Sequence, residues 1–101
     1  MEAIEKYAKE IQEAINKDYA KNVPNVLVPV TEVVYGKRYA KLCDKLVVNG
    51  KIISNSVHCF VDIATGDIYK AASWSTPAKG VRGNIHKDKK PLLGYDFYNK
   101  Y

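Results

Sequence analysis

Apolar residues near the start of the chain recur at helical spacing. Ile4, Ala8, Ile11 and Ile15 are separated by four, three and four positions, and Tyr7, Ala14 and Tyr19 widen the stripe. The pattern predicts an amphipathic helix over about residues 1–21, closed by Asn22 and Pro24. Glu2 and Glu5 sit at the positive end of its dipole, Lys17 and Lys21 at the negative end. A lone amphipathic helix must bury its apolar stripe against something else.

From Val26 the period changes. Val26–Val34 is rich in β-branched residues and reads as a strand, with Pro29 marking it as an edge strand or an irregular one. A turn at Tyr35–Arg38 leads into a second strand, Tyr39–Val48. Asn49-Gly50 then gives a strong hairpin signal, because both residues tolerate positive φ. Lys51–Ile53 returns as a strand, and Ser54-Asn55-Ser56 reads as a bulge or a break before Val57–Asp62. In that last run Val57, Cys59 and Val61 alternate with His58, Phe60 and Asp62. Ala64–Asp67 is a second hairpin turn, with Gly66 supplying the left-handed position, and Ile68–Ser73 is the last clear strand. The expected fold is therefore α+β: a helix on an antiparallel meander of about four strands over residues 26–73. Residues 74–101 read as a loop-rich basic segment with an aromatic tail.

The length of 101 residues allows one domain, 1–101, with a modest core. Hydrophobic residues at 47% and charged residues at 27% argue against wholesale disorder. No apolar run approaches the roughly 20 residues that cross a bilayer, so no membrane partner is expected. The charged N-terminus lacks the apolar core and cleavage site of a signal peptide. Cys43 and Cys59 both fall in strands and read as buried thiols; with no CxxC spacing, neither metal nor cofactor is expected. The net charge of +5 is local. Lys70, Lys79, Arg82, Lys87, Lys89, Lys90 and Lys100 face only Asp88 and Asp96, which suggests an anionic partner or a solubilising surface.

Candidate binding groups gather where that charge begins. Trp74, Ser75, Thr76, Lys79, Arg82, Gly83 and Asn84, with Lys70 just before them, supply the parts that hold a nucleotide. Trp74 can stack on a base, Lys79 and Arg82 can hold phosphate oxygens, and Asn84 can bond a base edge or sugar. Gly80 and Gly83 permit close backbone approach. The plainer alternative has Trp74 capping the core, the glycines shaping turns, and Arg82 tying the loop to Asp62 or Asp67.

The run from Val57 to Ile85 resembles a small-protein family widespread in tailed bacteriophage genomes. The matching positions are Phe60-Val61-Asp62, Thr65-Gly66-Asp67, Lys70-Ala71-Ala72-Ser73-Trp74, Pro77-Ala78-Lys79 and Arg82-Gly83-Asn84. The resemblance implies a phage origin and a setting in the cytoplasm of the infected bacterial host. It implies no mechanism.

Catalysis has little support. His58 lies on a strand and His86 in a charged loop; Cys59 adjoins His58, and strand alternation sends the two side chains to opposite faces, away from a nucleophile–base pair. The expected function is non-enzymatic binding of an anionic nucleotide-type ligand, such as a cyclic nucleotide immune signal sequestered by an anti-defence protein. Two alternatives stand beside it: single-stranded nucleic-acid binding, and inhibition of a host or defence enzyme by protein–protein contact. Tyr95, Phe97, Tyr98 and Tyr101 can pack on the sheet, form a homo-oligomer through the C-terminal tail or stack on bases, and the accompanying Leu92 and Leu93 favour the first two.

Overall fold

A computed structural model describes residues 2–22, 27–88 and 91–93 of the chain. One helix, α1 (Glu2–Asn22), precedes five strands: β1 (Leu27–Tyr35), β2 (Tyr39–Val48), β3 (Lys51–Asp62), β4 (Asp67–Ala71) and β5 (Pro77–Asn84). The strands form one open sheet in sequence order, β1-β2-β3-β4-β5, each antiparallel to the next.

The helical stripe does what its spacing requires. Ile4, Tyr7, Ala8 and Ile11 are buried against Ala40, Leu42, Cys59, Val61 and Ile68, and Ile15 packs at the margin. Full burial of a side chain such as Ile11 contributes about 2–3 kcal/mol. Leu92 returns from the far end of the chain to join this core, and its amide donates to the Tyr7 hydroxyl at 2.9 Å. The aromatic residues expected to follow it lie outside the described residues.

Turn chemistry sets the register. Asn49 (φ 50°) and Gly50 (φ 80°) close the β2–β3 hairpin in the left-handed region, as the Asn-Gly pair predicts. At the β3–β4 turn, Gly66 (φ 81°) donates to the Asp62 carbonyl at 2.8 Å. The Asp62 carboxylate accepts from the amides of Ala64 (2.9 Å) and Thr65 (3.2 Å). Pro29 sits in β1, an edge strand, where a missing ladder donor is tolerated.

Two expectations need correction. β3 runs unbroken through Ser54, Asn55 and Ser56, which pair with Leu46, Lys45 and Asp44. The irregularities fall on either side of that triplet, leaving Ile53 and His58 as the extra residues. The sheet also does not end near residue 73. Pro77–Asn84 is a fifth strand, and Ala72–Thr76 is the loop that joins it to β4, closed by the amides of Ala72 and Ser73 on the Thr76 carbonyl (2.9 and 3.1 Å). β5 escapes sequence reading because it is an edge strand with two register shifts and two glycines, which erase the period-two signal.

Candidate binding face

The helix covers one face of the sheet, so strand alternation assigns the residues of the other. Ala40 and Leu42 face the helix, which places Tyr39 and Lys41 on the far face. Phe60 lies between core residues Cys59 and Val61, and Tyr69 follows core residue Ile68; both join the far face. The rings meet there: Tyr39 packs edge-on against Phe60 (centroids 6.3 Å apart) and against Tyr69 (5.6 Å).

Two cations lie on this aromatic surface. The Arg38 guanidinium is 5.1 Å from the Tyr39 ring centroid, and its Nε reaches Asp62 Oδ2 at 3.5 Å. The Lys41 ammonium lies 4.4 Å from the Trp74 ring centroid and donates to the Trp74 carbonyl at 3.1 Å. Trp74 is 51% exposed. A cleft of about 260 Å³ opens beside it, lined among others by Val34, Arg38, Tyr39, Lys41, Phe60 and Ser75. Burial works against the charge of Asp62, but the amides of Thr65 and Ala64 and the Arg38 guanidinium outweigh it, holding the carboxyl below its usual range.

The residues expected to bind are divided by the fold. Trp74, Ser75 and Thr76 sit together in the exposed β4–β5 loop, Ser75 on the rim of the cleft. Lys79 is exposed on β5, while Lys70 and Arg82 are half-buried on β4 and β5. Gly83 faces inward, with Asp88 and Leu92 filling the space a side chain would need. Asn84 stands at the opposite end of β5 from Trp74, roughly 20 Å away along the strand. It is taken up by the β3–β4 turn: its Nδ2 donates to the Thr65 carbonyl (3.0 Å) and to Asp67 (2.9 Å), and its Oδ1 accepts from the His86 amide (2.8 Å). Trp74 and Asn84 therefore do not share a pocket. Arg38 reaches Asp62 and Asn84 reaches Asp67.

Arg38, Tyr39, Lys41 and Phe60 were absent from the expected site. Their signal was present: in Tyr39-Ala40-Lys41-Leu42 the aromatic and the cation occupy the parity opposite to the core residues.

A second polar cluster lies on the helix side. The bulge at His58 breaks the alternation, so His58 and Cys59 do not take opposite faces as a regular strand requires. Cys59 enters the core, and His58 reaches Asp44 Oδ2 at 2.6 Å and the Leu92 carbonyl at 2.7 Å. Asp44 also accepts from the Thr31 hydroxyl at 3.2 Å. Burial works against a charged His58, but the hydrogen bond and charge of Asp44 outweigh it and raise the ring above its ordinary value. Burial drives the Cys59 thiol far up, which keeps it out of thiolate chemistry. Cys43 and Cys59 are both free and buried. Among the described residues, no group of three His, Cys, Asp or Glu is placed to hold a metal ion, and no helix is long and apolar enough to cross a membrane.

Residues 1–94 match the model of a family described as a family of unknown function, DUF7717. The chain belongs to that family. No curated protein and no solved structure matches this DUF7717 chain.

Proposed function

We propose that this DUF7717 protein binds an anionic nucleotide-type ligand without transforming it, and takes it on the helix-free face beside Trp74. One observation carries the reading: a half-exposed indole with an ammonium 4.4 Å from its ring centroid, that lysine and the adjoining Ser75 both lining an aromatic-floored cleft. An exposed aromatic face attracts both cations and nucleobases, and a base stacked on it contributes about 1–3 kcal/mol. A base arriving on Trp74 displaces Lys41 from the ring and leaves its charge beside the incoming phosphate. Arg38, 70% exposed at its side chain, offers a planar fork to a second phosphate oxygen. The resemblance to tailed-phage proteins supports a setting in the cytoplasm of an infected bacterium, where a cyclic nucleotide immune signal is a ligand of the right chemistry.

Single-stranded nucleic acid is the second reading, favoured by the openness of the surface around Trp74. Calorimetric titration with adenosine monophosphate, a cyclic dinucleotide and short oligo(dT) separates the two. The first reading expects micromolar or tighter binding of a small nucleotide, weakened about tenfold or more by Lys41→Ala or Arg38→Ala. Binding confined to the oligonucleotide, falling steeply with salt through counterion release, selects the second. No binding of any of the three overturns both.

A further inference from the structure

We propose that the cleft beside Trp74 selects ligands whose negative charges sit together on a chain of phosphoryl groups, as in a nucleoside di- or triphosphate. The inference rests on the nucleotide reading above and narrows it to a class of ligand. The register builds the floor of the cleft. Val34 on β1 is opposite Lys41 on β2, and Lys41 is opposite Phe60 on β3, so the three side chains form one row across the helix-free face. The turn between β1 and β2 closes the cleft at the strand ends and adds Lys37 and Arg38, while Ser75 borders it from the β4–β5 loop.

Charge decides the ligand class. Lys37, Arg38 and Lys41 all line this space of about 260 Å³, and no carboxylate is among its described lining residues. Arg38 and Lys41 are roughly 10 Å apart along an extended chain, and Lys37 adjoins Arg38. Asp62 offsets part of this charge, meeting Arg38 through Nε at 3.5 Å. Its other oxygen accepts from the Ala64 and Thr65 amides, which fixes the carboxylate and leaves the outer nitrogens of the guanidinium for a ligand. Three cations against one carboxylate leave a local positive excess. A single phosphodiester cannot match that excess, whereas a di- or triphosphate places several negative charges on neighbouring phosphorus atoms. The Gly36 amide is already taken by the Tyr39 carbonyl at 2.9 Å, so the turn meets an anion with side-chain cations rather than with that amide. Size acts in the same direction. Small-molecule pockets commonly span about 300–1,000 Å³. This cleft falls just below that range and seats one nucleotide unit rather than two. The base then stacks on Trp74, and its phosphates run from Lys41 toward the β1–β2 turn.

Calorimetric titration with adenosine mono-, di- and triphosphate and with inorganic tripolyphosphate tests the inference, at one ionic strength and without divalent cations. The dissociation constant should fall about fivefold or more from the monophosphate to the diphosphate, and further to the triphosphate. Lys37→Ala, at an exposed turn position, should leave the circular dichroism spectrum unchanged and cut the preference for triphosphate over monophosphate about fivefold or more. Lys51→Ala removes the same charge from an exposed position beside the Asn49-Gly50 turn and should leave that preference intact. Monophosphate and triphosphate binding within about twofold of each other overturns the inference, and so does a preference that survives Lys37→Ala. The two readings fail separately. Tripolyphosphate binding as tightly as adenosine triphosphate refutes the nucleotide reading alone. Monophosphate binding with no gain from further phosphates refutes this inference alone, and no binding of any of the four refutes both.

Discussion

Both ring nitrogens of His58 face acceptors, the Asp44 carboxylate at 2.6 Å and the Leu92 carbonyl at 2.7 Å. Only the doubly protonated ring donates to both at once. Making both contacts at once therefore depends on the second proton, while the neutral ring can donate to only one of them. Because the folded-state value is raised above the ordinary 6.5, the stabilisation is fully present below about that pH. It is lost as pH climbs through the raised value. His58→Gln should cost about 1–3 kcal/mol in denaturant unfolding at pH 6, and the gap from the unmodified chain should narrow as pH rises. A gap that is constant or widens with pH contradicts a charged His58. Asp44 is in direct contact with the ring; Tyr7 is joined through Leu92, and burial lifts its hydroxyl well above the normal range. Asn84 makes a different prediction. Its side chain closes a turn, so Asn84→Ala should cost about 1–3 kcal/mol in thermal unfolding while leaving nucleotide binding near Trp74 unchanged. Lost binding without lost stability would restore it as a ligand residue.

Elements differ in how plainly the chain announces them. The helix, β2 and both glycine-containing hairpin turns were legible, because each rests on a local rule: period 3.6, period two, or a positive φ. β3 and β5 were less so. Bulges at Ile53 and His58 shift side chains between faces without leaving a mark in composition, and β5 is held by pairing to β4 rather than by its own pattern. The glycines of these elements separate turn strain from crowding. A side chain at Gly66 must adopt φ 81° and also meets the His86 ring 2.7 Å away, whereas at Gly80 (φ 97°) the space is open. Gly80→Ala should therefore cost about 1–2 kcal/mol, the backbone penalty alone. Gly66→Ala should cost more, and hydrogen exchange should show the β3–β4 hairpin opening first. Equal costs at both sites would mean that His86 moves aside freely.

At the scale of the molecule, one helix and one sheet leave a broad face with no described layer over it, and there the candidate site lies. Trp74 was visible in the sequence as an aromatic beside cations. The cation it meets was not, because Lys41 is 33 residues away and reaches it only through the pairing order β2-β3-β4. Lys79, Arg82 and Asn84, its neighbours in sequence, are carried away along β5. The chain has a single tryptophan, so its emission reports on this place alone. Titrating the protein with a cyclic dinucleotide or short oligo(dT) while following Trp74 fluorescence is the most direct test of a ligand on the helix-free face. The account predicts saturable quenching, weakened about tenfold or more in Lys41→Ala. Emission that stays unchanged while calorimetry registers binding would place the ligand elsewhere and contradict it.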